Sequence, residues 1–101
     1  MNEVKLNLDS NGHGYFLIED GGARIAEMEI SISGNELTVY HTEVSPQAQG
    51  QGLAKILLDH MASYVRNHGM KVIPLCPYVH AQFKRHPKEY ADIWKKERIK
   101  A

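Results

Sequence analysis

"HTEVSPQAQGQGLAKILLDHM", residues 41–61, joins two kinds of structure. Its first residues close an alternating, strand-like run. From Leu53 onward the apolar side chains recur every three or four residues, the period of an amphipathic helix. Between the two sit Gly50 and Gly52, at a helix start where glycine costs roughly 0.5–1 kcal/mol relative to alanine. Either the glycines only make a tight turn, or something has to come close to the backbone there.

Upstream, the chain reads as strands. "EVKLNLD" (3–9) alternates, with Val4, Leu6 and Leu8 on one face, and "SNGHG" turns it into "YFLIED" (15–20). Gly21-Gly22 leads to "ARIAEMEIS" (23–31), where Ala26, Met28 and Ile30 oppose Glu27 and Glu29. Gly34-Asn35 leads to "ELTVYHTEV" (36–44). Short turns between sequential strands predict an antiparallel meander.

Downstream, Leu53, Ile56, Leu57, Met61, Tyr64 and Val65 predict a helix that stops near Asn67-His68-Gly69. "KVIPLC" (71–76) reads as a short buried strand. Pro77 and Pro87 are placed to start a short helix over 77–86 and a longer one over 87–100. Strand, helix and strand form a βαβ unit, whose two strands run parallel through a right-handed crossover. The expected fold is α+β: a mainly antiparallel sheet with one parallel crossover and C-terminal helices.

A length of 101 residues predicts one domain, 1–101. The apolar fraction, 43%, and charged fraction, 24%, are those of a globular chain. No apolar run approaches the roughly 20 residues of a membrane span, and "MNEVKLNLDS" has no secretory signal pattern. A single cysteine, Cys76, suits a reducing compartment. The expectation is a cytoplasmic protein that binds no membrane. Twelve basic and twelve acidic residues balance, but residues 84–101 carry seven basic and three acidic side chains. That tail is +4 and the rest of the chain −4. Without basic–aromatic interleaving elsewhere, this argues against nucleic acid and for a solvated helix face or an anionic small ligand.

In a βαβ unit, ligands sit where a strand ends and the next helix begins, here "SPQAQGQG". A helix N-terminus leaves N–H groups unpaired and favours anions such as phosphate. The loop lacks the G-x-x-x-x-G-K-S/T spacing and the three-glycine dinucleotide fingerprint. It does fit [QR]-x-x-G-x-[GA], with Gln47, Gly50 and Gly52 in place. This resembles the acyl-CoA pyrophosphate motif of the GNAT N-acetyltransferases. With "HTEV", "VIPLCPYV" and "RHPKEY", the chain resembles small single-domain GNAT-like proteins over about residues 4–94.

The resemblance implies acetyl-CoA, or coenzyme A, held by main-chain N–H groups of Gln49, Gly50, Gln51, Gly52, Leu53 and Ala54. Gln47 belongs to the same motif. An arginine often precedes the first glycine in this family, and Gln49 stands there instead. In such folds the two parallel strands splay, which places the thioester between Thr42–Val44 and Leu75–Cys76. Lys84 is a further candidate for a CoA phosphate.

Cys76 has two readings, a small hydrophobe closing a core strand and a thiolate that takes the acetyl group; a Cys-Pro haem ligand is a more remote third. His41 and Glu43, two apart in a strand, are expected on one face with Leu37 and Val39, as base and orienter or as a strand running out into water. Tyr78 either protonates the leaving thiolate or anchors the core. Phe83, Tyr90 and Trp94 are expected to pack helices on the sheet. The other histidines, His13, His60, His68, His80 and His86, form no metal-ligand pattern.

The resemblance, with these residues, implies an acetyl-CoA-dependent acyltransferase acting on an amine, small-molecule or protein, as a monomer or weak homodimer. An acyl-CoA-binding module without turnover is the rival from another class. A domain with no ligand would make the glycine loop coincidental.

Overall fold

The computed structural model describes residues 3–95. Five strands form one sheet in the order of the chain: β1 (Val4–Leu8), β2 (His13–Asp20), β3 (Ala23–Ser33), β4 (Glu36–Val44) and β5 (Lys71–Pro74). The first four pair antiparallel, and β5 lies parallel to β4. Helix α1 (Leu53–Asn67) makes the crossover, and α2 (Pro77–Arg85) and α3 (Pro87–Tyr90) follow β5. This is the expected α+β arrangement, a mainly antiparallel sheet with one parallel pair. None of the described helices is long and apolar enough to cross a membrane.

The alternation in the strands becomes a two-faced sheet. Phe16, Ile18, Met28, Ile30, Leu37 and Val39 point to one side and are fully buried against Leu57, Leu58, Met61 and Val65 of α1. Val79, Phe83, Tyr90 and Ile93 from the C-terminal segment join the same cluster. Each such side chain contributes about 1.5–3 kcal/mol on leaving water, so this face sets the register of the sheet. β1 closes on β2 over Gly14, where a methyl group would lie 1.8 Å from the Asn7 carbonyl oxygen. The opposite face buries Leu17 but is otherwise mostly polar: His13 Nε2 and Glu29 Oε2 are 2.7 Å apart, Arg24 donates to Glu27 at 3.0 Å, and the Ser31 and Tyr40 hydroxyls are 2.7 Å apart.

One irregularity in β4 shapes everything at its end. Val39 pairs with Ile30 and His41 with Glu29, so Tyr40 is an extra residue with no opposite number on β3. A bulge of this kind shifts all later side chains by one position. Leu37 and Val39 are buried, but beyond the bulge Thr42 and Val44 are the partly buried residues, while His41 and Glu43 are exposed. The expectation that His41 and Glu43 share a face with Leu37 and Val39 is therefore wrong. The inserted residue reverses the parity on which it rested.

The end of the chain also differs from its expected form. Strand β5 stops at Pro74, and Cys76 serves as the N-cap of α2 rather than as the last strand residue. No long helix begins at Pro87. After Tyr90 the chain turns, and Trp94 bridges to Val72. The Val72 N–H donates to the Ile93 carbonyl at 2.6 Å, and the Lys95 N–H to the Val72 carbonyl at 2.9 Å. Groups left unpaired on the outer edge of β5 thus capture the segment, and helix gives way to edge pairing. Arg66 locks the turn, reaching both oxygens of Asp92 at 2.8 and 3.1 Å and the Glu89 carbonyl at 2.7 Å. The rest of the expected 87–100 helix, from residue 96, lies outside the described residues.

Candidate active site

The opening at the carboxyl ends of β4 and β5 follows from hydrogen-bond geometry. The last ladder position joining the two strands is Val39–Pro74, and the Cys76 N–H donates to the Val39 carbonyl at 2.8 Å. β4 runs on for five residues, with no strand beside it on that flank. The Ser45 N–H bonds to the Ile25 carbonyl of β3 at 2.9 Å. Alternation along an antiparallel ladder then aims the N–H and C=O of Thr42 and Val44 away from β3, into the opening. The Val44 carbonyl accepts from Gln49 Nε2 at 3.4 Å. These strand amides are fixed in place before any ligand arrives.

A second set of free donors lies next to them. After β4 the chain makes a short 3-10 turn, Pro46–Ala48, that buries Ala48 and leaves Gln47 exposed. Gly50 and Gly52 follow with φ of 86° and 74°, the left-handed region that glycine enters without strain. Gly52 is the N-cap of α1 and supplies no side-chain cap, and no acidic residue stands in the first turn. The first amide bonded within the helix is that of Ile56, to the Gly52 carbonyl at 3.1 Å. From Gly50 to Lys55 the main-chain N–H groups have no acceptor among the described residues. Most helices cover such groups with a serine, threonine or aspartate. Here six consecutive donors lack a protein acceptor at the positive end of a 15-residue helix.

A methyl group built on Gly50 or Gly52 meets no atom within 4 Å. Packing therefore does not require glycine at either place. The space that side chains would fill is open, and the residues present fit a pyrophosphate: peptide donors, a helix N-terminus and no competing carboxylate.

Cys76 is 2% exposed, and its Sγ lies 3.3 Å from the Thr42 Oγ1, so the two side chains close the bottom of the opening. No described histidine, lysine or carboxylate is bonded to that sulfur. Leu75 projects into solvent at 61% exposure. Tyr78 is partly buried in the first turn of α2, and burial raises its phenol above the ordinary value, with nearby Lys55 opposing the shift. It stays protonated through the neutral range and offers an O–H donor. His41 and Glu43 sit on the opposite, exposed face of β4, with His41 Nε2 3.6 Å from Glu43 Oε1. Lys84 lies on the outer face of α2, beside Pro77, His80, Ala81 and Arg85. The structure thus gathers Thr42, Val44, the 49–54 loop and Cys76 at one end of the sheet, with Tyr78 in the first turn of α2. His41 and Glu43 are on the other side of the strand. No group of three metal-ligating side chains occurs among the described residues.

The comparisons with known proteins agree with this fold. The sequence model of the GCN5-related N-acetyl-transferase family matches residues 14–93, and the chain belongs to that family. No curated protein sequence matches it. Among solved structures, a GCN5-like protein from Staphylococcus aureus superposes with a TM-score of 0.68 at 25% identity, covering 97% of this chain and 94% of its own. The ribosomal-protein-S18-alanine N-acetyltransferase of Escherichia coli superposes with a TM-score of 0.59 at 22% identity over 65% of this chain, which spans 43% of that enzyme. The N-acetylglutamate synthase of Neisseria gonorrhoeae, complexed with coenzyme A and N-acetyl-glutamate, gives 0.57 at 21% identity over 71% of this chain and 18% of its own.

Proposed function

We propose that the chain is an N-acetyltransferase that takes its acetyl group from acetyl-CoA and passes it to an amine. The observation that carries this reading is the run of unpaired amides from Gly50 to Lys55, set beside the outward-facing amides of Thr42 and Val44. Acetyl-CoA supplies a thioester whose C–S bond is exchanged for an N–C bond to the acceptor, releasing CoA thiol. In this reading the peptide N–H groups of Gly50 to Ala54 hold the pyrophosphate, with Gln47 at the rim of the loop; the Gln49 N–H, expected among them, is instead bonded to the Pro46 carbonyl at 3.4 Å. The Thr42 and Val44 amides orient the pantetheine arm and polarise the acyl carbonyl.

Tyr78 is the candidate donor to the departing sulfur. Its ordinary pKa, about 10, already exceeds a thiol's roughly 8.5, and burial widens the difference. It therefore acts as a hydrogen-bond donor to a developing thiolate rather than as a strong acid. Cys76, buried against Thr42 with no base at its sulfur, shapes the floor of the site, and transfer to the amine is direct. The bulge directs His41 and Glu43 to the exposed face, so any part they take in deprotonating the amine comes from that side of β4.

Titration calorimetry with acetyl-CoA, CoA and a pyrophosphate-free pantetheine thioester tests the reading. Binding of the first two, with a large loss for the third, is expected. Equal binding of all three, or none, would remove it.

A further inference from the structure

Most of the described lysines and arginines are already matched. Among the described residues Lys5 pairs with Glu19, Arg24 with Glu27, Lys55 with Asp59, Arg66 with Asp92 and Lys95 with Glu36, and Lys71 bonds to the Asp92 carbonyl. Lys84, Arg85 and Lys88 are the described lysines and arginines with no oxygen acceptor, and they stand together. Lys84 and Arg85 project from the last turn of α2, and Lys88 from the start of α3. His80 and Pro77 continue the stripe back along α2, and all five side chains are exposed. Two shallow hollows run along it, one lined by Pro77, His80, Lys84 and Arg85, the other by Arg85, His86, Lys88 and Glu89. The stripe begins one residue after Cys76 and extends about 12 Å along the helix.

We propose that this corner of α2 and α3 is the docking surface for an acidic polypeptide segment that presents the acceptor amine. The identity of that segment as acceptor rests on the transfer reading; the docking surface does not. Three positive charges against the one negative charge of Glu89, on the convex corner of α2 and α3, suit a few carboxylates. A longer polyanion would run off the patch onto a chain whose first 83 residues carry −4. The hollows also hold no exposed Phe, Tyr or Trp ring on which bases could stack, since Trp94 packs on Phe83 and His80. Charge and shape therefore favour carboxylates on a peptide over a nucleic acid. Pro77 follows Cys76 directly, so one end of the patch starts at the opening between β4 and β5, and in the proposal a segment lying along it carries a neighbouring amine toward the acyl site.

The test uses fluorescence anisotropy without acetyl-CoA, with a short Glu-rich peptide bearing a free amine, its Gln-substituted counterpart, CoA, and a single-stranded oligonucleotide of equal charge. The wild type is expected to prefer the Glu-rich peptide, with affinity falling as salt rises. Lys84→Ala/Arg85→Ala/Lys88→Ala is expected to lose about tenfold, the scale of three exposed charge contacts, and Lys5→Ala to lose nothing. Unchanged peptide affinity in the triple variant, tighter binding of the oligonucleotide, or a loss confined to CoA would each overturn the proposal. With acetyl-CoA at saturation, so that any contact of Lys84 with a CoA phosphate does not limit the rate, the triple variant should lose more kcat/KM for the Glu-rich peptide than for a small neutral amine. Docking without acetylation of any amine would leave the surface standing and remove the transfer reading instead.

Discussion

Substitution at Gly52 separates the two reasons a glycine can stand at a helix start. Its φ of 74° puts any L-residue other than asparagine or aspartate under strain of about 1–2 kcal/mol. For a domain of this size that lowers Tm by roughly 4–8 °C per kcal/mol. The added atoms meet no protein within 4 Å, so strain is the whole expected cost to the free protein. Asparagine tolerates the left-handed region, and Gly52→Asn should melt close to wild type while still placing a side chain in the cradle. Gly34, at the β3–β4 turn with φ of 60° and equally open space, is the matched control. Calorimetry with CoA, alongside thermal melts, reads both effects. Gly52→Asn should lose at least tenfold in CoA affinity, about 1.4 kcal/mol, and Gly34→Asn none. A folded Gly52→Asn that binds CoA like wild type would refute the cradle and leave the glycine as a turn residue.

Other consequences follow from particular side chains. The Tyr90 hydroxyl is buried with no hydrogen-bond partner among the described residues, so Tyr90→Phe removes a desolvated polar group and keeps the stacking on Phe83; stability should hold or rise by about 1 kcal/mol, and a clear loss in a urea melt would show a bound water there. The Asp92 carboxyl is held below its ordinary value chiefly by the hydrogen bond from Arg66. A depressed folded pKa stabilises above the unfolded value, near 3.8, and that contribution fades as pH falls through the folded one. The melting difference between wild type and Arg66→Ala should therefore shrink on acidification below about pH 4, and an unchanged difference there would count against the pairing. Incubation with acetyl-CoA and no acceptor should leave Cys76 unmodified by intact-mass analysis, and Cys76→Ala should retain amine acetylation. A stable acetyl adduct on the thiol would establish covalent transfer instead.

Much of the fold was legible because each strand alternates and the crossover helix repeats cleanly. "ARIAEMEIS" commits Ala26, Met28 and Ile30 to the core without outside help, and "LAKILLDHM" does the same for α1. The glycine loop could be read because the helix start and the glycines are adjacent in sequence. The bulge at Tyr40 was missed, though a trace of it exists: Leu37 and Val39 are odd-numbered and buried, while the next apolar residue, Val44, falls out of phase. Tyr40 and His41 are both tolerated on an exposed face, so nothing local marks the slip. The C-terminal error has a different cause. "PKEYADIWKK" has a helical composition, and only the unpaired edge of β5, more than 20 residues away, draws Trp94 into a bridge. The uncapped N-terminus of α1 shows in the sequence as the missing serine or aspartate before Leu53. Its meaning depends on knowing that no other group covers the donors.

The most direct test of the central claim is amide chemical-shift mapping of the isotope-labelled protein during titration with acetyl-CoA. Shifts concentrated at Thr42, Val44, Gly50 to Ala54 and Cys76 are predicted, with Tyr15, Glu27 and Glu29 on the far face of the sheet unmoved. Saturable shifts on that far face, with the 50–54 amides unchanged, would contradict it.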